Sequence, residues 1–108
     1  MPSLVLDLPF VSHPWSRFGQ QARARFVLTA DLTPGLLARV VAPFSRRDLS
    51  PDILEARRSG ASMRIEIVIE AMPAEMVHLV AGNLEQIVGV HTVRLQQEIT
   101  GQVQRQAA

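Results

Sequence analysis

The chain has 108 residues, enough for one domain with its own core and too few for two. Hydrophobic residues make up 47% and charged residues 19%, the balance of a folded globular chain rather than a disordered one. A net charge of +1 supplies no field to gather nucleic acid or an anionic membrane, and the absence of Cys excludes disulfides, thiol nucleophiles and CxxC metal or redox sites. The basic residues are all Arg, so neither a Schiff-base lysine nor a P-loop lysine is available. No apolar run approaches the length of a membrane span. The early apolar patch Leu4-Val5-Leu6 lacks a basic flank and is interrupted by Asp7, Pro9 and Pro14, so a cytoplasmic location is the expectation.

Residues 1–21 form an N-terminal arm without periodicity. It holds Phe10, Trp15 and Phe18, three of the chain's five aromatic residues. Arms of this kind either stay flexible or dock on a partner or an exposed edge, and both readings stay open. Arg23 to Ala30 alternates, Phe26 and Leu28 on one face and Arg25, Val27 and Thr29 on the other, which predicts a half-buried strand. The strand meets a polar corner, Asp31-Leu32-Thr33-Pro34-Gly35, that opens into a helix predicted from Pro34 to Arg47. Thr33 suits its cap and Pro34 its first position, Leu37, Val40, Val41 and Phe44 form the apolar stripe, and Arg46 and Arg47 suit the negative end of the dipole.

Ser50-Pro51 breaks the chain before a second strand, Asp52 to Arg58, and Ser59-Gly60 supplies a hairpin turn. The third strand, Met63 to Glu70, alternates cleanly: Met63, Ile65, Ile67 and Ile69 on one face, Arg64, Glu66, Val68 and Glu70 on the other. A second helix is predicted from Pro73 to Ile87, with Met76, Val77, Val80, Leu84 and Ile87 inward. A fourth strand follows from Val90 to Gln97, with Val93 and Leu95 inward and Thr92 and Arg94 outward. The order β-α-β-β-α-β predicts an α+β, ferredoxin-like sandwich, a four-stranded antiparallel sheet with both helices on one face. The domain spans 22–98, with a C-terminal tail at 99–108.

Unpaired amides at the start of the first helix, with no side chain on Gly35, make the corner a candidate site for a carboxylate or phosphate. The capping chemistry of Thr-Pro-Gly also accounts for it without a ligand. Asp31 and Asp52, expected at neighbouring ends of the first two strands, offer paired carboxylates, but no nucleophile or partner His stands near them in sequence. His13, His78 and His91 are scattered, none with a second ligand at metal spacing. The open sheet face carries Arg25, Arg64 and Arg94 beside Glu66 and Glu70 and no aromatic, which suits a solvated charge lattice better than stacked RNA bases.

Taken in order, Leu32-Thr33-Pro34-Gly35-Leu36-Leu37-Ala38-Arg39-Val40, Phe44-Ser45-Arg46-Arg47, Met63-Arg64-Ile65-Glu66-Ile67 and Asn83-Leu84-Glu85-Gln86-Ile87-Val88-Gly89-Val90 resemble an ACT domain over about Ala24 to Glu98. Within that family the chain is most similar to the small regulatory subunit of acetolactate synthase (acetohydroxyacid synthase). The resemblance implies a non-catalytic protein that dimerises through the second-strand edge. Its partner is a large subunit that carries thiamine diphosphate, magnesium and flavin (FAD), with no cofactor in this chain, no nucleic acid and no membrane. It also implies a branched-chain amino-acid effector held where Asp31, Leu32, Thr33, Pro34, Gly35 and Leu36 of one protomer meet Ser50, Pro51, Asp52 and Ile53 of the other, with Gly35 and Leu36 offering amides to its carboxylate. The family often has Asn where this chain has Leu32, and a Gly and an Asn after the first helix where it has Asp48 and Ser50. A stand-alone ACT-domain amino-acid sensor without a synthase partner is the alternative, and a small enzyme dependent on Asp31 or Asp52 is a third.

Overall fold

The fold rests on one strand, Gln20–Asp31, whose buried and outward residues alternate along its length. A computed structural model describes residues 19–102; most of the expected arm and the end of the expected tail lie outside it. In chain order the elements are β1 (Gln20–Asp31), α1 (Leu36–Ser45), β2 (Ile53–Ser59), β3 (Ser62–Pro73), a 3₁₀ turn (Ala74–Met76), α2 (Val77–Glu85) and β4 (Val90–Gln102). The sheet order is β2-β3-β1-β4, antiparallel throughout. This is the predicted ferredoxin-like sandwich. β1 and β4 are longer than the sequence pattern suggested and run beyond residues 22–98.

The inward face of β1 is Ala22, Ala24, Phe26, Leu28 and Ala30, all fully buried. Ile65, Ile67 and Ile69 of β3 lie beside it, and Leu36, Val40 and Phe44 of α1 pack over it with Val77, Val80 and Leu84 of α2. Both helices therefore cover one face. Phe26 and Phe44 meet edge to face, their ring centroids 5.4 Å apart and the planes at 82°, an arrangement aromatic quadrupoles favour. Met63, Ile87, Val93 and Leu95 close the margin of this core.

Both helices are shorter than predicted. Thr33-Pro34-Gly35-Leu36 forms a turn in which the Leu36 amide donates to the Thr33 carbonyl at 3.3 Å. Gly35 has φ 82° and ψ −11°, the third-position geometry of a type II turn, which Pro followed by Gly favours. A residue at positive φ lies outside the helix, so α1 starts at Leu36 with Gly35 as its cap. Thr33 makes no side-chain cap bond. At the other helix, Pro73 stays extended at the end of β3, and one 3₁₀ turn precedes α2. The hairpin turn falls on Gly60-Ala61, with Gly60 at φ 61° and Ser59 opposite Ser62.

α1 ends in a Schellman motif. The Leu49 amide donates to the Phe44 carbonyl at 2.9 Å and the Asp48 amide to the Ser45 carbonyl at 3.1 Å. Asp48 takes φ 57°, the left-handed position usually given to Gly, while the Arg47 guanidinium donates to the Pro43 carbonyl at 3.1 Å. Left-handed backbone costs an L-residue about 1–2 kcal/mol, somewhat less for Asp. Part of that gain in Asp48→Gly is offset by the greater freedom of unfolded Gly. Asp48→Gly is therefore expected to raise unfolding stability by a few tenths to about 1 kcal/mol, and the β-branched Asp48→Val to lower it, both read from urea midpoints.

Candidate functional site

The corner between β1 and α1 stands at one end of the sheet. Its backbone is fixed by the type II turn and by the Asp31 amide, which donates to the Gly89 carbonyl at 2.8 Å. The Leu36 amide is engaged within the turn, whereas among the described residues no backbone group accepts from the amides of Gly35, Leu37 or Ala38. The helix start therefore keeps free donors at its positive end, with Leu37 and Ala38 in place of the expected Leu36. Thr33, Pro34 and Gly35 are exposed and Leu32 is half-buried.

A second turn, Ile87-Val88-Gly89-Val90, lies against the first. The Val90 amide donates to the Ile87 carbonyl at 3.1 Å and Gly89 has φ 101°. A Cβ on Gly89 would stand 3.3 Å from Leu36 Cδ1 and 3.8 Å from Asp31 Oδ2, so this Gly is required by close approach as well as by φ. Beside the turns, His91 Nε2 lies 2.6 Å from Asp31 Oδ1. The sequence reading found no partner His for Asp31 and missed this pair. Topology held the signal: the end of β1 and the start of β4 are antiparallel neighbours, with Ala30 opposite Val90.

Asp31 and Asp52 are not neighbours. Asp31 pairs with Ser62 at the start of β3, and the Asp52 carboxylate accepts from the Glu70 amide at 2.7 Å. Eight residues of strand separate those two positions of β3, about 26 Å. The expectation fails because β3 lies between β1 and β2, and α1 carries the chain back along the sheet before β2 begins. Asp52 instead terminates the hairpin: its amide donates to the Val68 carbonyl at 2.8 Å while its side chain takes the next free donor. The same separation applies to the candidate binding residues. Asp31, Leu32, Thr33, Pro34, Gly35 and Leu36 share one end of the sheet, and Ser50, Pro51, Asp52 and Ile53 the other.

The open face is a lattice of crossed charges. Arg23 pairs with Glu70 at 3.0 Å, Arg25 with Glu66 at 2.5 Å, and Arg64 approaches Glu66 at 3.8 Å. Arg25 also donates to Gln96 Oε1 at 2.9 Å, and Thr29 meets Thr92 at 2.6 Å. The hydrogen bond from Arg25 holds the Glu66 carboxyl below its ordinary value of 4.5 against the opposing effect of desolvation, with the charges of Arg25, Arg64 and Arg57 each adding less. Val68 is buried on this face despite its polar surroundings. Two shallow depressions lie along it, one of about 600 Å³ bordered by Arg23, Arg25 and Glu98, the other of about 400 Å³ bordered by Arg25, Arg64 and Arg94. His78 is exposed and contacts Gln97 at 3.0 Å. Among the described residues no cluster of His, Asp and Glu could hold a metal ion, and no helix is long and apolar enough to cross a membrane.

Two measurements test this geometry. A Cβ on Gly35 meets open space, so Gly35→Ala is charged only for its positive φ, about 1–2 kcal/mol. Gly89→Ala adds a contact with Leu36 and is expected to cost more in the same denaturant titration. Glu66 has its folded pKa lowered, so its contribution to stability is fully present above about pH 4.5 and is lost as pH falls through the lower folded value. Urea midpoints of the wild type are expected to fall across that acid window more steeply than those of Glu66→Gln.

The family model described as ACT-like domain matches residues 17–102. No curated protein matches the sequence. The fold is similar to the ACT domain of GTP pyrophosphokinase from Chlorobium tepidum in its crystal structure, with TM-score 0.60 and 14% identity over 68% of this chain and 96% of that one. It is also similar to part of a homoserine dehydrogenase from Thiobacillus denitrificans, with TM-score 0.61 and 14% identity over 77% of this chain and 18% of that one. A third likeness is to the C-terminal domain of the MgtC protein from Mycobacterium tuberculosis, with TM-score 0.53 and 13% identity over 79% and 94%. At these identities the likenesses carry the fold alone, whereas the family match takes in all four strands and both helices: the chain belongs to the ACT-like domain family.

Proposed function

We propose that this chain is a non-catalytic, homodimeric regulatory subunit of acetolactate synthase. It acts in the cytoplasm on a large subunit that carries the thiamine diphosphate, magnesium and FAD. The observation that carries a regulatory reading is the corner itself: in an ACT-like fold, the turn Thr33-Pro34-Gly35-Leu36 leaves free amides at the start of α1, and the Asp31 amide just before it is held by the carbonyl of Gly89 in the neighbouring turn. The choice of enzyme rests on the resemblance of the ordered segments at 32–40, 44–47, 63–67 and 83–90.

The effector is a branched-chain amino acid, its carboxylate on the corner of one protomer and its remainder against Ser50, Pro51, Asp52 and Ile53 of the other. Support comes from the placement of these residues at opposite ends of one protomer's sheet. Antiparallel pairing of two β2 edges carries the Ser50–Ile53 end of each protomer toward the corner end of its partner. Every residue of β2 is exposed, with Ile53 and Leu54 each 43% exposed, as an edge awaiting a partner would be. Leu32, Asp48 and Ser50 stand where the family has polar or Gly residues, so the backbone supplies most of the grip.

Co-expression with a thiamine-dependent acetolactate synthase large subunit is expected to give a complex with a higher rate than the large subunit alone. Failure of both association and activation overturns the synthase reading. The alternative is a stand-alone ACT-domain sensor, with which a family match to ACT-like domains in general is equally compatible. It predicts that an amino acid stabilises the isolated chain by RT ln(1 + [L]/Kd), about 2.7 kcal/mol at a hundredfold excess over Kd, with no synthase partner.

A further inference from the structure

The edge of β2 carries a charge pattern that its own sheet leaves unsatisfied. On the open face, Glu55 lies directly opposite Glu66 of β3, and Arg57 directly opposite Arg64. Like charges facing each other across strands are destabilising. Glu66 is compensated by Arg25 and Arg64 and, at longer range, by the charge of Arg57, but among the described residues neither Glu55 nor Arg57 makes an ion pair. Two unfavourable pairs side by side, of opposite sign, on the outermost strand of a sheet form a pattern that a second edge can reverse.

A two-fold axis through an antiparallel pair of identical strands places residue i opposite residue j with i + j constant. The sum must be even, because directly opposite residues point to the same face. A sum of 110 sets Glu55 against Glu55 of the second copy, and 114 sets Arg57 against Arg57. A sum of 108 centres on Leu54 and pairs fewer strand residues. A sum of 112 centres on Ala56 and pairs the whole strand, Ile53 with Ser59 and Leu54 with Arg58. In that register Glu55 of each copy faces Arg57 of the other, twice by symmetry. Length and charge select the same alignment.

We infer that a second copy of this chain docks on β2 in the register centred on Ala56, with reciprocal Glu55–Arg57 ion pairs on the open face. This rests on the dimer reading above and adds to it the alignment. The other free edge, β4, can also set Arg94 against Glu98 of a second copy by pairing about Gln96. Those charges already face Val27 and Arg23 within the chain, however, and irregular register near Gln21 and Ala22 interrupts the far end of that strand. β2 has no such interruption and exposes the adjacent Ile53 and Leu54, where β4 exposes Ile99.

The chain has no Cys, so single substitutions report the alignment directly. Opposed Cα atoms in an antiparallel pair are about 4.5–5.5 Å apart, within the reach of a disulfide, about 4.4–6.8 Å. Under mild oxidation Ala56→Cys is expected to give a covalent dimer, and Leu54→Cys and Gln96→Cys not. Efficient cross-linking through Leu54→Cys, or through Gln96→Cys, overturns the register or the edge respectively. Charge exchange gives a second measurement. Glu55→Arg alone and Arg57→Glu alone each replace two attractive contacts by repulsive ones, and are expected to weaken dimerisation roughly tenfold or more by sedimentation. The double variant restores it. Each single change also relieves a like-charge pair within the chain, so circular dichroism is expected to show a fold at least as stable as the wild type. A wild type that is monomeric at micromolar concentration overturns the dimer itself. A dimer indifferent to both charge changes overturns only the proposed alignment.

Discussion

Every element of this molecule depends on the inner face of β1. Five alternate residues, three of them Ala, are removed from solvent, and that face meets strands on both sides and helices above. Burial of apolar surface at roughly 25 cal/mol per Å² is what offsets the entropy of ordering the chain. A strand with period-two alternation has only one way to contribute it, because a slip by one residue would put Arg23 and Arg25 into the core and Phe26 into water. The alternation thus fixes the register with β3 and β4. It also fixes which face receives the helices.

With one face committed to the core, the other carries charge. Arg23, Arg25, Glu66 and Glu70 stand in crossed pairs across β1 and β3, each contributing little to stability in such exposed surroundings. Their larger effect is on pairing. A face of interleaved Arg and Glu resists stacking against apolar surface and leaves edge-to-edge association as the sheet's remaining route to a second copy. The corner of turns at 33–36 and 87–90 lies apart from that lattice, built almost wholly from backbone groups.

Much of the fold was legible because its determinants are local and periodic. Ile65, Ile67 and Ile69 against Arg64, Glu66 and Glu70 predict a strand and its inward face, and the element order then leaves few topologies. Boundaries were less legible. Thr33-Pro34-Gly35 satisfies the rules for a capped helix and for a type II turn alike, and the positive φ of Gly35, set in three dimensions, decides for the turn. At the corner, the amide donors could be read from Gly35 and the helix start. The Asp31–His91 pair could not, because 60 residues separate its members and only the β1–β4 pairing joins them. Asp31 and Asp52 failed for the complementary reason: adjacency in element order is not adjacency in a sheet where β3 intervenes.

Asp52 has one more consequence. By spending its amide on Val68 and its carboxylate on Glu70, it stops the β2–β3 ladder while β3 continues to Pro73. At the opposite end Gly60 closes the hairpin. The seven residues of the strand are thus clamped between two fixed points, like a ruler cut to length. Neither end can slide without losing a bond or straining a turn. The position along the edge of the charges that β2 shows to the outside is therefore held by a carboxylate bonded inward to the backbone of β3.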